Sequence, residues 1–320
     1  MFAIDCNSRN NRNNRNNRCQ RPTSPGNRVM RIASAYVVAA ALYGFASIAN
    51  AAAEPVGAAP LRAKYSELAS QLANNPFKRP LAMTSIEAGN VLKGDIYAVV
   101  EHPLSQVSAA LSGPEHWCDV LMLHLNTKYC HASNGSDGAT LDMRIGKKFD
   151  QPVEDAHRVD FGFHPGAASA DYFNARLDAA HGPMGTSDYR ILLEAVALPG
   201  KKTFLHLTYS YAYGFASKIA MKGYLATVGS DKVGFSRKGD AQSDYIGGMR
   251  GVVERNTMRY YLAIDAYLDA LAAPPGEQIE KRLSEWFNAT EQYARQLHEM
   301  NRSEYLDMKR VEIARLKTAQ

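Results

Sequence analysis

Tyr209, Tyr211 and Tyr213 stand at alternate positions of one apolar segment, so in a strand all three face the same way. The chain holds 17 Tyr, and a wall of hydroxylated rings suits a ligand that is apolar with one polar end. An ordinary sheet core whose hydroxyls reach the rim would show the same spacing. The nine His are scattered without metal-ligand spacing. His124 and His206 fall in apolar surroundings, where a satisfied core histidine is the commoner outcome than a catalytic one. Asp188 and Arg190 flank Tyr189 at the start of a long strand. Arg250, Glu254, Arg255 and Arg259 lie on the first turns of a long helix, and Arg250 with Glu254 reads as a solvated i,i+4 pair. An inward Arg190 or Arg255 could hold a ligand carboxylate bidentately. HExxH, GxSxG, Walker and GxGxxG motifs are absent. The expectation is therefore no metal, no cofactor and no assigned catalytic residue. Acid–base chemistry through His206, Tyr209 or Arg190 is the enzymatic alternative.

The compartment is read from the first part of the chain. Met30-Arg31 forms a short positive start, Ile32 to Ile48 is uncharged and apolar, and Ala49-Asn50-Ala51 offers small residues to a signal peptidase. Ala51-Ala52-Ala53 is a second cleavage point, so the mature chain is expected to begin at Ala52 or Glu54. A membrane anchor is the other reading, but the run is short for a span and rich in Ala rather than Leu. The Asn-Asn-Arg repeats of residues 10–18 cannot bury a core, and translation from Met30 would explain them. Seven Arg and one acid fall in residues 1–51. Of 37 Lys+Arg and 32 Asp+Glu, that leaves 30 basic and 31 acidic groups beyond it. The remainder is near neutral, which argues against a nucleic-acid partner. Cys6 and Cys19 leave with the leader. Cys118 and Cys130 remain, an even count that predicts a disulfide in a bacterial periplasm or a secreted protein.

Residues 54–89 read as linker and an N-terminal helix, with apolar positions at 61, 65, 68 and 72. From about residue 90 the order is a strand over 91–100, two short helices from Leu104 and Pro114, and then strands around 127–132, 141–145, 159–163, 173–177, 189–198 and 203–213. The last two are apolar on both sides and are expected at the centre of the sheet. A helix over 216–228, a polar insertion and a long helix over 245–272 follow. Residues 273–320 form a helical extension. Its positions 279, 283, 286, 290, 293, 297 and 300 follow a four–three seam. Such a seam either self-associates or packs on its own domain, and packing on the domain is the preferred reading.

The segment Ile96-Tyr97-Ala98-Val99-Val100-Glu101-His102-Pro103-Leu104-Ser105-Gln106-Val107 leads from a strand into a Pro-initiated helix pair, with Trp117 in the second helix. Over residues 90–272 the chain resembles the START-like (SRPBCC, helix-grip) superfamily, which includes lipid-transfer domains, polyketide cyclases and pollen-allergen-like proteins. Trp117-Cys118-Asp119 and His124 to Lys128 look like an exported bacterial branch of it. The resemblance implies an α+β fold in which a bent antiparallel sheet of about seven strands grips the long helix. It implies an apolar cavity between sheet and helix that takes a lipid, sterol or aromatic. A carrier of lipid would touch a membrane transiently. The 229–243 insertion departs from the pattern, since the last strand normally runs directly into the gripping helix. Trp117, Tyr189, Tyr209, Tyr211 and Tyr260 are expected to line the cavity, with His124, Arg190, His206 and Arg255 as further ligand-binding candidates.

Overall fold

The computed structural model describes residues 56–136, 138–227, 231–239 and 245–318. The leader with its cleavage points, and part of the 229–243 insertion, lie outside the described residues. Helix α1 (Ala58–Ala73) precedes strands β1 (Leu81–Ala88) and β2 (Val91–Val100). Helices α2 (Leu104–Leu111) and α3 (Pro114–Leu121) lead to β3 (Thr127–Gly135), β4 (Gly138–Ile145), β5 (His157–Ala168), β6 (Tyr172–His181), β7 (Thr186–Leu198) and β8 (Lys202–Tyr213). Then come α4 (Phe215–Ala226), the long α5 (Gly248–Ala270), α6 (Gln278–Glu291), α7 (Ala294–Leu297) and α8 (Arg302–Thr318).

The sheet has eight antiparallel strands in the order β1-β2-β8-β7-β6-β5-β4-β3, and α5 lies along its inner face. This is the helix-grip arrangement, with one strand more than expected. The extra strand is β1, in a stretch read as linker. Thr84, Ser85 and Glu87 dilute its apolar pattern, and it occupies an edge, where half its residues stay exposed. The signal for it was Gly89-Asn90, a two-residue hairpin turn with Gly89 at φ 61°. Glycine also sets the approach of α5. A Cβ at Gly94 of β2 would collide with the Thr257 hydroxyl, so only glycine lets the helix sit this close.

Strand β8 is buried along both faces, as expected of a central strand. Its odd-numbered residues, Leu205 to Tyr213, join the inner core with α5. Phe204 joins a separate outer cluster under α1 with Leu61, Leu68, Leu72, Ala82, Tyr97, Tyr172 and Val196. Helix α1 thus covers the face that would otherwise be wet. Cys118 of α3 and Cys130 of β3 form a disulfide with Cα atoms 5.3 Å apart. Closing so short a loop contributes about 2–3 kcal/mol.

The C-terminal helices pack on the same unit, residues 53–320. The four–three seam is not one continuous helix, because the chain breaks between α6 and α7 and again after Leu297. Its members Leu283, Trp286, Thr290 and Leu297 are buried inside the chain instead. The Trp286 indole N–H donates to the Arg259 carbonyl at 3.1 Å, and the Tyr305 hydroxyl donates to the Leu123 carbonyl at 3.0 Å. A fully buried ion cluster fastens α8. Glu312 takes Lys128 Nζ at 2.8 Å and Lys309 Nζ at 2.6 Å. Both ammoniums also donate to backbone carbonyls, Lys128 to Leu125 and Lys309 to His124 and Thr127. Removing one member of such a cluster leaves unpaired charge in the interior. Glu312→Ala should therefore lose about 3–5 kcal/mol in urea unfolding, and a loss below about 1 kcal/mol would show that α8 is not held this way.

Candidate functional site

The inner face of the sheet and α5 do not meet everywhere. Between them lies a cavity of about 190 Å³ whose walls include Met143, Val159, Phe161, Ile191 and Met221. Four tyrosines form its aromatic wall. Tyr209 and Tyr211 point inward because β8 alternates, Tyr189 comes from β7, and Tyr260 descends from α5. The Tyr189 and Tyr211 rings stack at 5.2 Å, and Tyr209 meets Tyr260 at 5.1 Å and Tyr211 at 5.6 Å. Burial pushes the hydroxyls of all four upward, so they act as neutral hydrogen-bonding groups. The Tyr189 hydroxyl is engaged with Thr186 Oγ1 at 2.7 Å.

At the mouth, the turn Pro183–Gly185 and helix α4 are tied together where the Ser217 hydroxyl donates to the Met184 carbonyl at 2.5 Å. Met184 is in the left-handed region at φ 59°. Its side chain, with those of Phe215 and Ile219, is exposed around this access side.

His124 ends the α3 segment and lines the cavity beside Tyr260, ring centroids 5.2 Å apart. Its Nδ1 accepts the Asn126 N–H at 3.2 Å, which puts the proton on Nε2. Burial, and then the fields of Arg259, Lys309 and Lys148, drive its pKa far down, so the ring stays neutral.

Of the nine residues singled out as ligand-binding from sequence, His124, Tyr189, Tyr209, Tyr211 and Tyr260 therefore come together. Trp117 does not line the cavity. It is buried toward α2, its indole N–H donating to the Leu111 carbonyl at 2.9 Å. Arg190 points outward, because its neighbours Tyr189 and Ile191 point in, and it pairs with Asp178 at 3.3 Å. Arg255 is buried but turned aside, donating to the Val233 carbonyl at 3.1 Å. Glu254 is not a solvated partner of Arg250. It is fully buried and accepts the backbone N–H groups of Phe235 and Ser236 and the Ser85 hydroxyl. The cavity also has lining residues that sequence reasoning passed over. Val252, Asn256 and Tyr260 form an i,i+4,i+8 row on α5, and the polar Asn256 in that row was the signal.

His206 lies on the opposite face of the sheet, because an even position of β8 cannot share a side with Tyr209. There its Nε2 meets Asp95 at 2.9 Å and its Nδ1 meets Glu194 at 3.3 Å, while Tyr97 stacks on the ring at 4.1 Å. Glu194 also accepts the Tyr172 hydroxyl and the Gly57 N–H at the start of α1. Thr208 and Lys93 complete the environment of Asp95. The cluster fastens α1 over the outer face. Among the described residues no group of three or more His, Cys, Asp or Glu could hold a metal ion, and no helix is long and apolar enough to cross a membrane.

Together these features define an α+β helix-grip protein with a tyrosine-walled internal cavity. No protein-family model matches the chain, and no curated protein matches it significantly. Among solved structures it is similar to norcoclaurine synthase from Thalictrum flavum, at 13% identity and a TM-score of 0.31, over 47% of this chain and 82% of that one. It is similar to Ara h 8.0201 at 11% identity and a TM-score of 0.34, over 57% of this chain and 99% of that one. A conserved protein of unknown function from Enterococcus faecalis shares 8% identity at a TM-score of 0.31, over 65% of this chain and 91% of that one. At these values the likenesses carry no argument about activity.

The His206 cluster has a pH signature. Burial opposes a charged imidazole, but Asp95 and Glu194 outweigh it and raise the His206 pKa. Burial would likewise raise Asp95 and Glu194, yet their bonds from His206 bring both down. The histidine's contribution is fully present below its unfolded value and is lost as pH rises through its folded value. The carboxylates' contribution is present above their unfolded values and is lost in acid. The cluster should stabilise most between about pH 5 and 6.5. From about pH 6 to about pH 9, wild type should lose more stability than His206→Gln. Parallel melting curves for the two proteins would contradict this assignment.

Proposed function

We propose that the chain is an exported bacterial binding or carrier protein for a compact, ring-bearing apolar molecule held between the sheet and α5. The observation that carries this reading is the tyrosine-walled cavity. Size narrows the ligand class. An apolar cavity of roughly 150 Å³ accepts benzene, whereas pockets for drug-sized ligands span roughly 300–1,000 Å³. At about 190 Å³ the cavity suits one ring or two fused rings better than a sterol or a long acyl chain. The Cys118–Cys130 disulfide supports an oxidising compartment, in keeping with the leader.

The chemistry supports holding rather than converting the ligand. Acid–base chemistry through His206 or Arg190 would need them on the cavity face, and their strands turn both away from it, toward Asp95 and Asp178. His124 is neutral and a poor base, and the lining tyrosines hold their protons tightly. Among the described residues, no charged side chain lines the cavity.

Native mass spectrometry of protein purified from its own periplasm tests the proposal by recovering the bound molecule. In vitro, indole should bind wild type and a sterol should not. Tyr209→Ala and Tyr211→Ala each remove ring contacts worth about 1 kcal/mol, so indole affinity should fall by about five-fold. Val252→Phe should fill the space and abolish binding. If indole binds wild type and Val252→Phe equally, its site is elsewhere.

A further inference from the structure

The inner end of the cavity is built from groups that expect a partner of one sign. His124 is 5% exposed, and its Nε2 is a buried nitrogen with no hydrogen-bond partner. Because Asn126 occupies Nδ1, that nitrogen is an N–H donor, and it makes no well-formed hydrogen bond, with only the Asn256 side chain near it. An unmet buried donor costs about 1–3 kcal/mol, which a ligand oxygen in the cavity would recover. Asn256 sits beside both His124 and Tyr209. Its Oδ1 faces Arg259 Nη1 at 3.5 Å, so its amide N–H groups are turned away from that cation.

Behind this end the charge does not balance. Glu299 takes Arg259 at 2.8 Å, Lys148 at 2.7 Å and Lys232 at 3.2 Å. Glu312 takes Lys128 and Lys309, and Lys309 also donates to the carbonyl of His124 itself. Five cations thus surround two carboxylates. Asp150, Glu304 and Asp307 line an exposed groove together with Lys148 and Glu299, where water screens the three acids and part of the Lys148 charge, and Asp150 is also paired with Arg315. Burial opposes ionisation of Glu299, but Arg259 and Lys148 bring its pKa down to about 2, the mark of the positive field around it, while burial lowers Lys148 in turn. Burial lowers Lys309 only to about 8, which leaves it charged at neutrality. Among the described residues, no carboxylate lines the cavity to receive a ligand cation.

We propose that the ligand is an organic anion, a compact apolar ring bearing a carboxylate or phenolate, whose oxygen accepts the His124 Nε2–H at the inner end of the cavity. This rests on the cavity being the ligand site. A neutral histidine serves here better than a charged one. It supplies a directed donor, while the surrounding cations supply the field that offsets desolvation of the anion.

Benzoate, benzyl alcohol and benzylamine share a ring and differ in charge, so calorimetric titration of all three isolates the effect. Benzoate should bind about ten-fold tighter than benzyl alcohol, with benzylamine the weakest. His124→Phe should reduce benzoate affinity about ten-fold and benzyl alcohol affinity by clearly less, so that their ratio falls while retained benzyl alcohol binding shows that the cavity is intact. His124→Gln keeps an N–H donor and should keep the preference for the anion. Benzyl alcohol binding as tightly as benzoate, or His124→Phe leaving their ratio unchanged, would overturn the inference while sparing the cavity. If none of the three binds, the cavity reading fails with it.

Discussion

Side chains on a strand alternate between its two faces, and in β8 that alternation divides the molecule. Leu205, Leu207, Tyr209 and Tyr211 look toward α5, while Phe204, His206 and Thr208 look toward α1 or the outer surface. Both rows are buried, so the strand must be covered twice. Helix α5 covers the inner row incompletely, and the gap becomes the cavity. Helix α1 covers the outer row, and the polar residues left beneath it are neutralised by pairing His206 with two carboxylates. A one-residue slip of β8 would exchange the two sets and destroy both.

The same constraint explains what could be read beforehand. The tyrosine ladder at 209 and 211 was legible because period two survives in sequence, and the apolar stripe of α5 was legible because helical period does. Which face each row would meet was not legible, since that depends on the bend of the sheet and on α1. Hence Tyr209 and His206 were grouped as one site although they stand on opposite faces. Arg190 could clamp a ligand only if it points inward, and adjacency to the inward Tyr189 on a strand means that it points out. The superfamily resemblance puts Trp117 at the cavity, but its indole N–H needs an acceptor and finds one in α2. Glu254 looked solvated because its i,i+4 partner is basic. In the fold it serves the backbone of the segment that precedes α5, a contact between distant residues that no local pattern carries.

The C-terminal extension belongs to the site more closely than its position in sequence suggests. Lys309 of α8 donates to the carbonyl of His124, and Glu299 between α7 and α8 holds Arg259 of the gripping helix. The helices after α5 therefore form the back wall behind the cavity's polar end. Buried charges there fix the register of α8 against β3 and give that end its positive field at once. Helical heptad spacing could not announce this, because the seam is broken between α6 and α7, which turn inward, and ends before α8.

The central claim is that the space among Tyr189, Tyr209, Tyr211, Tyr260 and His124 is a ligand site. Its most direct test is a crystal of the mature protein soaked with iodobenzene, whose iodine gives an anomalous signal. The account predicts an iodine peak between β8 and α5, inside the tyrosine wall. A cavity found closed by repacked side chains, or iodine found only elsewhere on the molecule, would contradict it.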